Sequence, residues 1–206
     1  MRKRTEYRTK KEIKELKKKQ KEEEYGANKS DWKYKMIFTT KKPSKKLKNL
    51  CKQLRTILRP EALFDNENDF IKESELDKFT TQMNVSHYFF VKQEQKDIFI
   101  NFFDKKHSKS FLYKVIEYTD NFKVYPNEIY KEKPLVSFKG LEGEEKISFE
   151  SLFYGSNTKK FRRILLITRE KQILYIRHYL YKVANDISNY IISLNEIGPR
   201  LTLELQ

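Results

Sequence analysis

Three segments between Ser86 and Tyr118 constrain the fold more than anything else in the chain. Ser86–Lys92, Asp97–Phe103 and Ser110–Tyr118 are rich in aromatic and β-branched residues and are separated by polar turns. Side chains of that kind pack well on a pleated, half-buried surface, so the pattern predicts three successive strands. Trp32–Thr40 alternates and then turns apolar, which predicts a strand ahead of them.

Between that first strand and the three lies the clearest helix. Leu47, Leu50, Cys51, Leu54, Ile57 and Leu58 fall on one apolar face. Ser44 is placed to cap the start, and Pro60 ends the helix. Lys45, Lys48, Lys52, Arg55 and Arg59 form a second stripe at i, i+3, i+7, i+10 and i+14, with no acidic residue interrupting it. Such a stripe is either a solvated face or a phosphate-binding one. The acidic stretch 66–82 reads as helical in its second half.

The pattern then partly repeats. After a connection over 125–133 that holds Pro126, Pro134–Lys139 reads as a short strand and Ile147–Tyr154 as a short helix. Arg162–Thr168 and Gln172–Tyr181 read as a hairpin, Asp186–Ser193 as a short helix and Pro199–Leu205 as a last strand. Strand, helix and several strands, twice over, predicts a mixed α/β fold of two similar halves.

The charge is unevenly placed. Residues 1–60 hold 22 Lys/Arg against 7 Asp/Glu, and residues 61–206 hold 22 of each. The net charge of +15 therefore belongs to one end. A basic end on a neutral body suits a polyanionic partner. Residues 1–30 read as a charged arm, either helical or disordered. Its Arg2, Lys3, Arg4, Arg8, Lys10 and Lys11 suit RNA contact or nuclear import.

Other chemistries find little support. The lone Cys51 has no partner for an internal disulfide, and no apolar run approaches the ~20 residues of a membrane span. The three His are scattered, with no metal-ligand spacing. Asp65–Asp69 lacks the Gly and Glu of a calcium loop, and the stretch from Gly155 lacks a P-loop ending. No cofactor, metal, catalytic residue or small-molecule substrate is expected.

The C-terminal third carries the most distinctive residues. On the Gln172–Tyr181 strand, Leu174, Ile176, His178 and Leu180 share one face, and Tyr175, Arg177, Tyr179 and Tyr181 share the other. His178 reads as a hydrogen-bonded core residue. The Tyr-Arg-Tyr-Tyr face suits either base stacking with phosphate contact or packing under a helix. Gly198, Pro199 and Arg200 read as the start of a strand.

Arg163–Ile167, Leu174–Tyr179 and Glu196–Leu205 resemble the C-terminal half of Brix-domain ribosome-biogenesis proteins. The resemblance is nearest the Peter Pan/SSF branch, which carries a similar Arg-His-Tyr strand and a Glu-Ile-Gly-Pro-Arg ending. Met36–Phe38, the basic helix, Leu58-Arg59-Pro60, Val85–Val91 and Pro134–Val136 are similar to earlier parts of the family. The stretches before Arg163 and before Glu196 are shorter here than in the family. The resemblance implies a Brix domain over 31–206, with halves of roughly 31–125 and 126–206. Each half would resemble the anticodon-binding domain of class II tRNA synthetases.

It further implies a non-enzymatic assembly factor of the large-subunit (pre-60S) precursor in the nucleolus or nucleus. Its partners would be pre-rRNA and other assembly factors, among them a small helical one, and no membrane. The alternatives are another Brix paralogue acting elsewhere, or a protein-binding scaffold without RNA contact. The expected RNA-binding residues are Lys41, Lys42, Lys45, Lys48, Lys52, Arg55 and Arg59 around the helix. A second patch of Arg162, Arg163, Arg177 and Arg200 would sit on the C-terminal half, and the two patches would bridge rRNA segments with little sequence preference.

Overall fold

Ser44 caps the first helix as its position predicts: its Oγ accepts from the Leu47 N–H at 3.2 Å. The computed structural model describes residues 34–62, 72–119, 125–153, 161–185 and 190–206. The charged arm over 1–30 and the first part of the acidic stretch lie outside these residues. Strand β1 (Tyr34–Thr39) leads into α1 (Lys45–Leu58), and a 3-10 turn at Glu73–Glu75 leads into α2 (Leu76–Gln82). Then come β2 (Val85–Glu94), β3 (Asp97–Asp104) and β4 (Lys109–Thr119). A second 3-10 turn, Asn127–Tyr130, precedes β5 (Leu135–Lys139) and α3 (Gly143–Leu152). The chain ends with β6 (Arg163–Glu170), β7 (Ile173–Asn185), β8 (Tyr190–Glu196) and β9 (Arg200–Leu205).

Among the described residues all nine strands join one sheet, in the order β1-β2-β3-β4-β9-β7-β6-β5, with β8 also paired to β7. The order reads outward symmetrically from the β4–β9 seam. β1 pairs parallel with β2, and β5 pairs parallel with β6. Parallel neighbours need a crossover, and α1 and α3 supply the two. The remaining pairs are antiparallel. The duplication visible in the sequence is thus a structural repeat, β1-α1-β2-β3-β4 followed by β5-α3-β6-β7-β9.

One sheet face carries Ile37, Phe89, Val91, Ile100, Phe102, Leu165, Ile167, Leu174 and Leu203, all buried against α1 and α3. α1 contributes its whole predicted apolar stripe, Leu47, Leu50, Cys51, Leu54, Ile57 and Leu58. Each of its four leucines and its one isoleucine gains ~1.5–3 kcal/mol from burial, which adds to the good helix propensity of its Lys, Leu, Gln and Arg residues. Residues of both halves enter this one core. The Phe149 ring of α3 centres 5.0 Å from that of Phe102 in β3, so α3 rests on the first half's strands. On the opposite face α2 covers Met36, Phe38, Tyr88 and Phe90 with Leu76 and Phe79.

Two elements differ from the sequence reading. α3 spans Gly143–Leu152 rather than starting at Ile147. Its apolar pattern is weak, since Ile147 is exposed and Ser148 is buried; Glu144 and Glu145 in its first turn suit the positive helix end. The helix expected over Asp186–Ser193 is corrected from Tyr190 onward, where the chain is strand β8. Tyr181 faces Leu194 and Val183 faces Ile192 across the β7–β8 ladder, and these β-branched and aromatic pairs stabilise the extended form.

Candidate nucleic-acid interface

The burial of α1's apolar stripe turns its basic stripe outward. Lys45, Lys48 and Lys52 are exposed, as are Lys41 and Lys42 just ahead of the helix. None of the five has a carboxylate partner among the described residues. Elsewhere among the described residues, by contrast, Lys92 pairs with Glu94 at 2.7 Å, Lys114 with Asp97 at 2.8 Å and Lys105 with Asp77 at 2.9 Å. With no acidic residue in the first turn of α1, the helix dipole adds to this positive field. Lys45 to Lys52 covers about 10 Å at 1.5 Å per residue, a length over which several phosphates can be met.

The far end of the stripe is differently engaged. Arg55 and Arg59 are half-buried. Arg59 Nη1 donates to Asn127 Oδ1 at 3.0 Å, and its guanidinium lies 5.7 Å from the Tyr130 ring centre. The exposed cationic surface is therefore the N-terminal part of α1, from Lys45 to Lys52, and the loop before it.

The second patch, expected from Arg162, Arg163, Arg177 and Arg200, is corrected. Arg163 is wholly buried. Its guanidinium donates to the carbonyls of Thr56 (3.2 Å), Arg59 (2.8 Å) and Glu132 (2.6 Å) and stacks 5.1 Å from the Tyr130 ring centre. It ties the end of α1 to the start of β6 and to the segment before β5. Burial pushes its pKa down to about 10, so it stays charged at neutral pH. A side chain held this way cannot reach RNA. Arg177 is half-buried and donates to the Leu201 carbonyl at 2.8 Å. Arg200 is exposed but forks onto Glu196, with Nε to Oε1 at 3.0 Å and Nη2 to Oε2. Arg162 is exposed. The four do not form one cluster of free cations. Of the arm, Arg2, Lys3, Arg4, Arg8, Lys10 and Lys11 lie outside the described residues.

His178 takes the core position read from its strand. Its Nδ1 donates to the Gly198 carbonyl at 2.7 Å, and Ile197 N–H donates to the His178 carbonyl at 2.8 Å. Its other nitrogen lies 3.3 Å from Arg163 Nη1, which donates to it. Burial, with the Arg163 charge beside it, pushes the imidazole down to about 3. The Arg-His-Tyr strand and the Glu-Ile-Gly-Pro-Arg segment are thus neighbours, joined through His178 where β8 hands over to β9. On the opposite face Tyr175, Arg177, Tyr179 and Tyr181 are half-buried, on the side away from α1 and α3. Beyond them Val183, Ile192 and Leu194 are 45%, 61% and 45% exposed, so the β7–β8 ribbon ends in an open apolar strip.

A buried polar cluster on the first half has no signal in the sequence. Asp104 accepts from the His107 ring at 2.7 Å, and His87 lies 3.4 Å away. Burial alone would raise the Asp104 carboxyl; the two imidazoles outweigh it and hold the carboxyl well below the usual range. His87 and Asp104 meet because β2 and β3 pair in that register, which residue spacing does not reveal. Among the described residues no group of three or more His, Cys, Asp or Glu is placed to hold a metal ion. The cavity under α1 and α3 measures only about 20 Å³ and is lined by core apolar side chains, too small for a ligand.

The fold has a counterpart among known structures. Among curated proteins none matches this sequence. Among solved structures the chain is similar to the crystal structure of a probable ribosomal biogenesis protein from Aeropyrum pernix K1. That likeness has a TM-score of 0.56 at 14% identity, over 84% of this chain and 96% of that one. The family model of the Brix domain matches residues 40–206, and with that span the chain belongs to the Brix-domain family.

Proposed function

We propose that this protein is a non-enzymatic ribosome-assembly factor that binds pre-rRNA in large-subunit (pre-60S) precursors, in the nucleolus. The observation that carries the reading is the exposed face of α1, where Lys41, Lys42, Lys45, Lys48 and Lys52 lack carboxylate partners among the described residues. A row of unneutralised ammonium groups on a rigid helix holds phosphates without reading sequence. Membership of the Brix family supports an assembly role, as does the likeness in fold to a probable ribosomal biogenesis protein. Within the family we place the chain nearest the Peter Pan/SSF branch, on Arg177-His178-Tyr179 and the Glu196–Leu201 segment.

The protein-scaffold reading has its own observation, the apolar strip of Val183, Ile192 and Leu194. Exposed apolar surface of that kind marks protein contact. The two readings are compatible, with RNA on α1 and assembly factors, a small helical one among them, on the C-terminal half.

Binding of the full chain to an rRNA hairpin, measured from 50 to 200 mM salt, tests the RNA reading. Neutralising 6–10 phosphates costs ~10³–10⁵ in affinity over that range. Replacing Lys45, Lys48 and Lys52 by Gln is expected to reduce the log–log slope by about 2–3. An unchanged slope returns α1 to a merely solvated face.

A further inference from the structure

The internal repeat offers a floor for a helix twice and covers it once. On the face away from α1 and α3, Met36 of β1 pairs with Tyr88 of β2, and Tyr88 with Phe103 of β3. In the second half Leu135 of β5 pairs with Ile164 of β6, and Ile164 with Tyr179 of β7. Phe90 and Leu166 correspond in the same way. The backbone keeps the same register: the Lys105 N–H donates to the Ser86 carbonyl at 2.9 Å, and the Tyr181 N–H to the Arg162 carbonyl at 2.8 Å. Phe38 and Asn101 differ in kind from their counterparts, Ser137 and Arg177.

In the first half α2 lies on this floor. Leu76 and Phe79, three residues apart on the helix, pack with Met36, Tyr88 and Phe90, which are left 3%, 5% and 3% exposed. Lys105 clamps the helix from the sheet, its Nζ donating to Asp77 Oδ1 at 2.9 Å. In the second half Leu135 is 37% exposed, and Ile164, Leu166 and Tyr179 are half-buried. None of the four belongs to the clusters that α1, α2 and α3 form with the sheet. α2 comes from the stretch 59–84 between α1 and β2. Between α3 and β6 the chain has only 153–162, which a helix of that size with its lead-in, 73–82, would use up before making either connection.

The uncovered floor also runs on. Beyond Tyr179 it continues over Tyr181 and Leu194, which face each other across the β7–β8 ladder, and then over Val183 and Ile192. That adds ~13 Å along β7 at ~3.3 Å per residue, so the seat takes a longer helix than the seven residues of α2. The unbalanced charges beside it are positive. Arg162 is exposed and Arg177 half-buried, and neither has a carboxylate partner among the described residues. Glu196, beside Tyr179, is held by Arg200, and Glu170 and Glu204 lie at the far end, beside Ile173. An apolar floor with two such cations suits a helix with apolar residues at i, i+3, i+4 and i+7 and carboxylates along its flank. An RNA backbone meets five lysines on and before α1 but only these two arginines here.

We propose that the uncovered floor of the second half seats an acidic amphipathic helix of a partner protein, in the place that α2 occupies on the first half, and that the helix continues over Leu194 and Ile192. The proposal rests on the protein-contact reading of the apolar strip above and adds to it the seat and the chemistry of the partner.

Photocrosslinking in cells tests it, with benzoylphenylalanine in place of Leu135 or of Leu194 in the full chain. Lys171, in the β6–β7 turn at the far end of the same half, is the control position. Mass spectrometry of the crosslinked peptides is expected to find, from both positions and well above the control, one segment of another protein. Its apolar residues are expected at helical spacing with Asp or Glu beside them. Arg162→Glu, which sets a like charge against that flank, is expected to lower the yield by about fivefold, and Arg162→Lys to keep it. Crosslinks to a protein segment without that spacing, or without acidic residues, overturn the helix seat and leave the strip a protein contact. Crosslinks to RNA or to a second copy of the chain, or yields no higher than at Lys171, overturn the seat and the protein-contact reading together. The salt slope of RNA binding by α1 is measured apart from all of these, so it separates their failure from that of the RNA reading.

Discussion

Replacing Arg163 by Met separates a structural arginine from an RNA-contacting one. Three buried carbonyls, those of Thr56, Arg59 and Glu132, lose a charged donor in this variant. Hydrogen bonds to charged groups contribute ~1.5–3 kcal/mol each. Against that stands the desolvation cost of the guanidinium, several kcal/mol, which Met does not incur. The three carbonyls left without that donor outweigh the desolvation relief, for a net loss on the order of 3 kcal/mol. For a chain of this size that lowers Tm by roughly 10 °C. Equilibrium urea unfolding, followed by circular dichroism at constant pH, measures it. Arg163→Lys keeps the charge but not the planar fork, and is expected to lose less. The RNA assay completes the test: under conditions where either variant is folded, its salt slope is expected to equal that of wild type. A loss of stability under ~1 kcal/mol, or a slope reduced by about one, refutes the structural role assigned to this residue.

Acid sensitivity follows from His178. Its folded pKa is depressed from 6.5 to about 3, so the unfolded chain takes up a proton first as pH falls. Stability is therefore full above about pH 7 and declines between pH 6.5 and 3. The share of His178 by pH 5 is about 1.5 pH units, or about 2 kcal/mol. His178→Gln, though less stable at neutral pH, is expected to show a shallower acid slope in urea titrations; an identical slope contradicts the assignment. At Gly140, φ is +72° and an added Cβ would lie 2.3 Å from the Arg169 carbonyl oxygen. Gly140→Ala is expected to cost upwards of ~2 kcal/mol by thermal melt, whereas a neutral effect means that the β5–α3 turn is not held against β6. Leu50→Ala, at a fully buried position of α1, is expected to cost about 2–5 kcal/mol, with a value under about 1 kcal/mol arguing against a shared core.

The legible parts of this fold are those with a strong period. The α1 stripe from Leu47 to Leu58 is written in residues three or four apart, and the strands from Ser86 to Tyr118 in residues two apart. The cap at Ser44 marks its own helix start. The repeat of strand, helix and strands is visible for the same reason. Tyr190–Ser193 reads wrongly as helix because so short a run of mostly apolar residues fits either period, and only the ladder to β7 decides for strand. The basic face of α1 is readable because an uninterrupted stripe needs no partner to define it. The fate of the C-terminal arginines is not. Whether Arg163 faces solvent or three carbonyls depends on where α1 ends relative to β6, with Arg59 and Arg163 104 residues apart along the chain.

Crosslinking the protein to RNA in cells and sequencing the attached fragments tests the central claim most directly, with the Lys45, Lys48 and Lys52 to Gln variant run in parallel. The account predicts fragments enriched in large-subunit pre-rRNA, and a marked loss of crosslinks in the variant at equal protein level. Fragments spread over all cellular RNA in proportion to abundance, or crosslinks unaffected by the three substitutions, would contradict it.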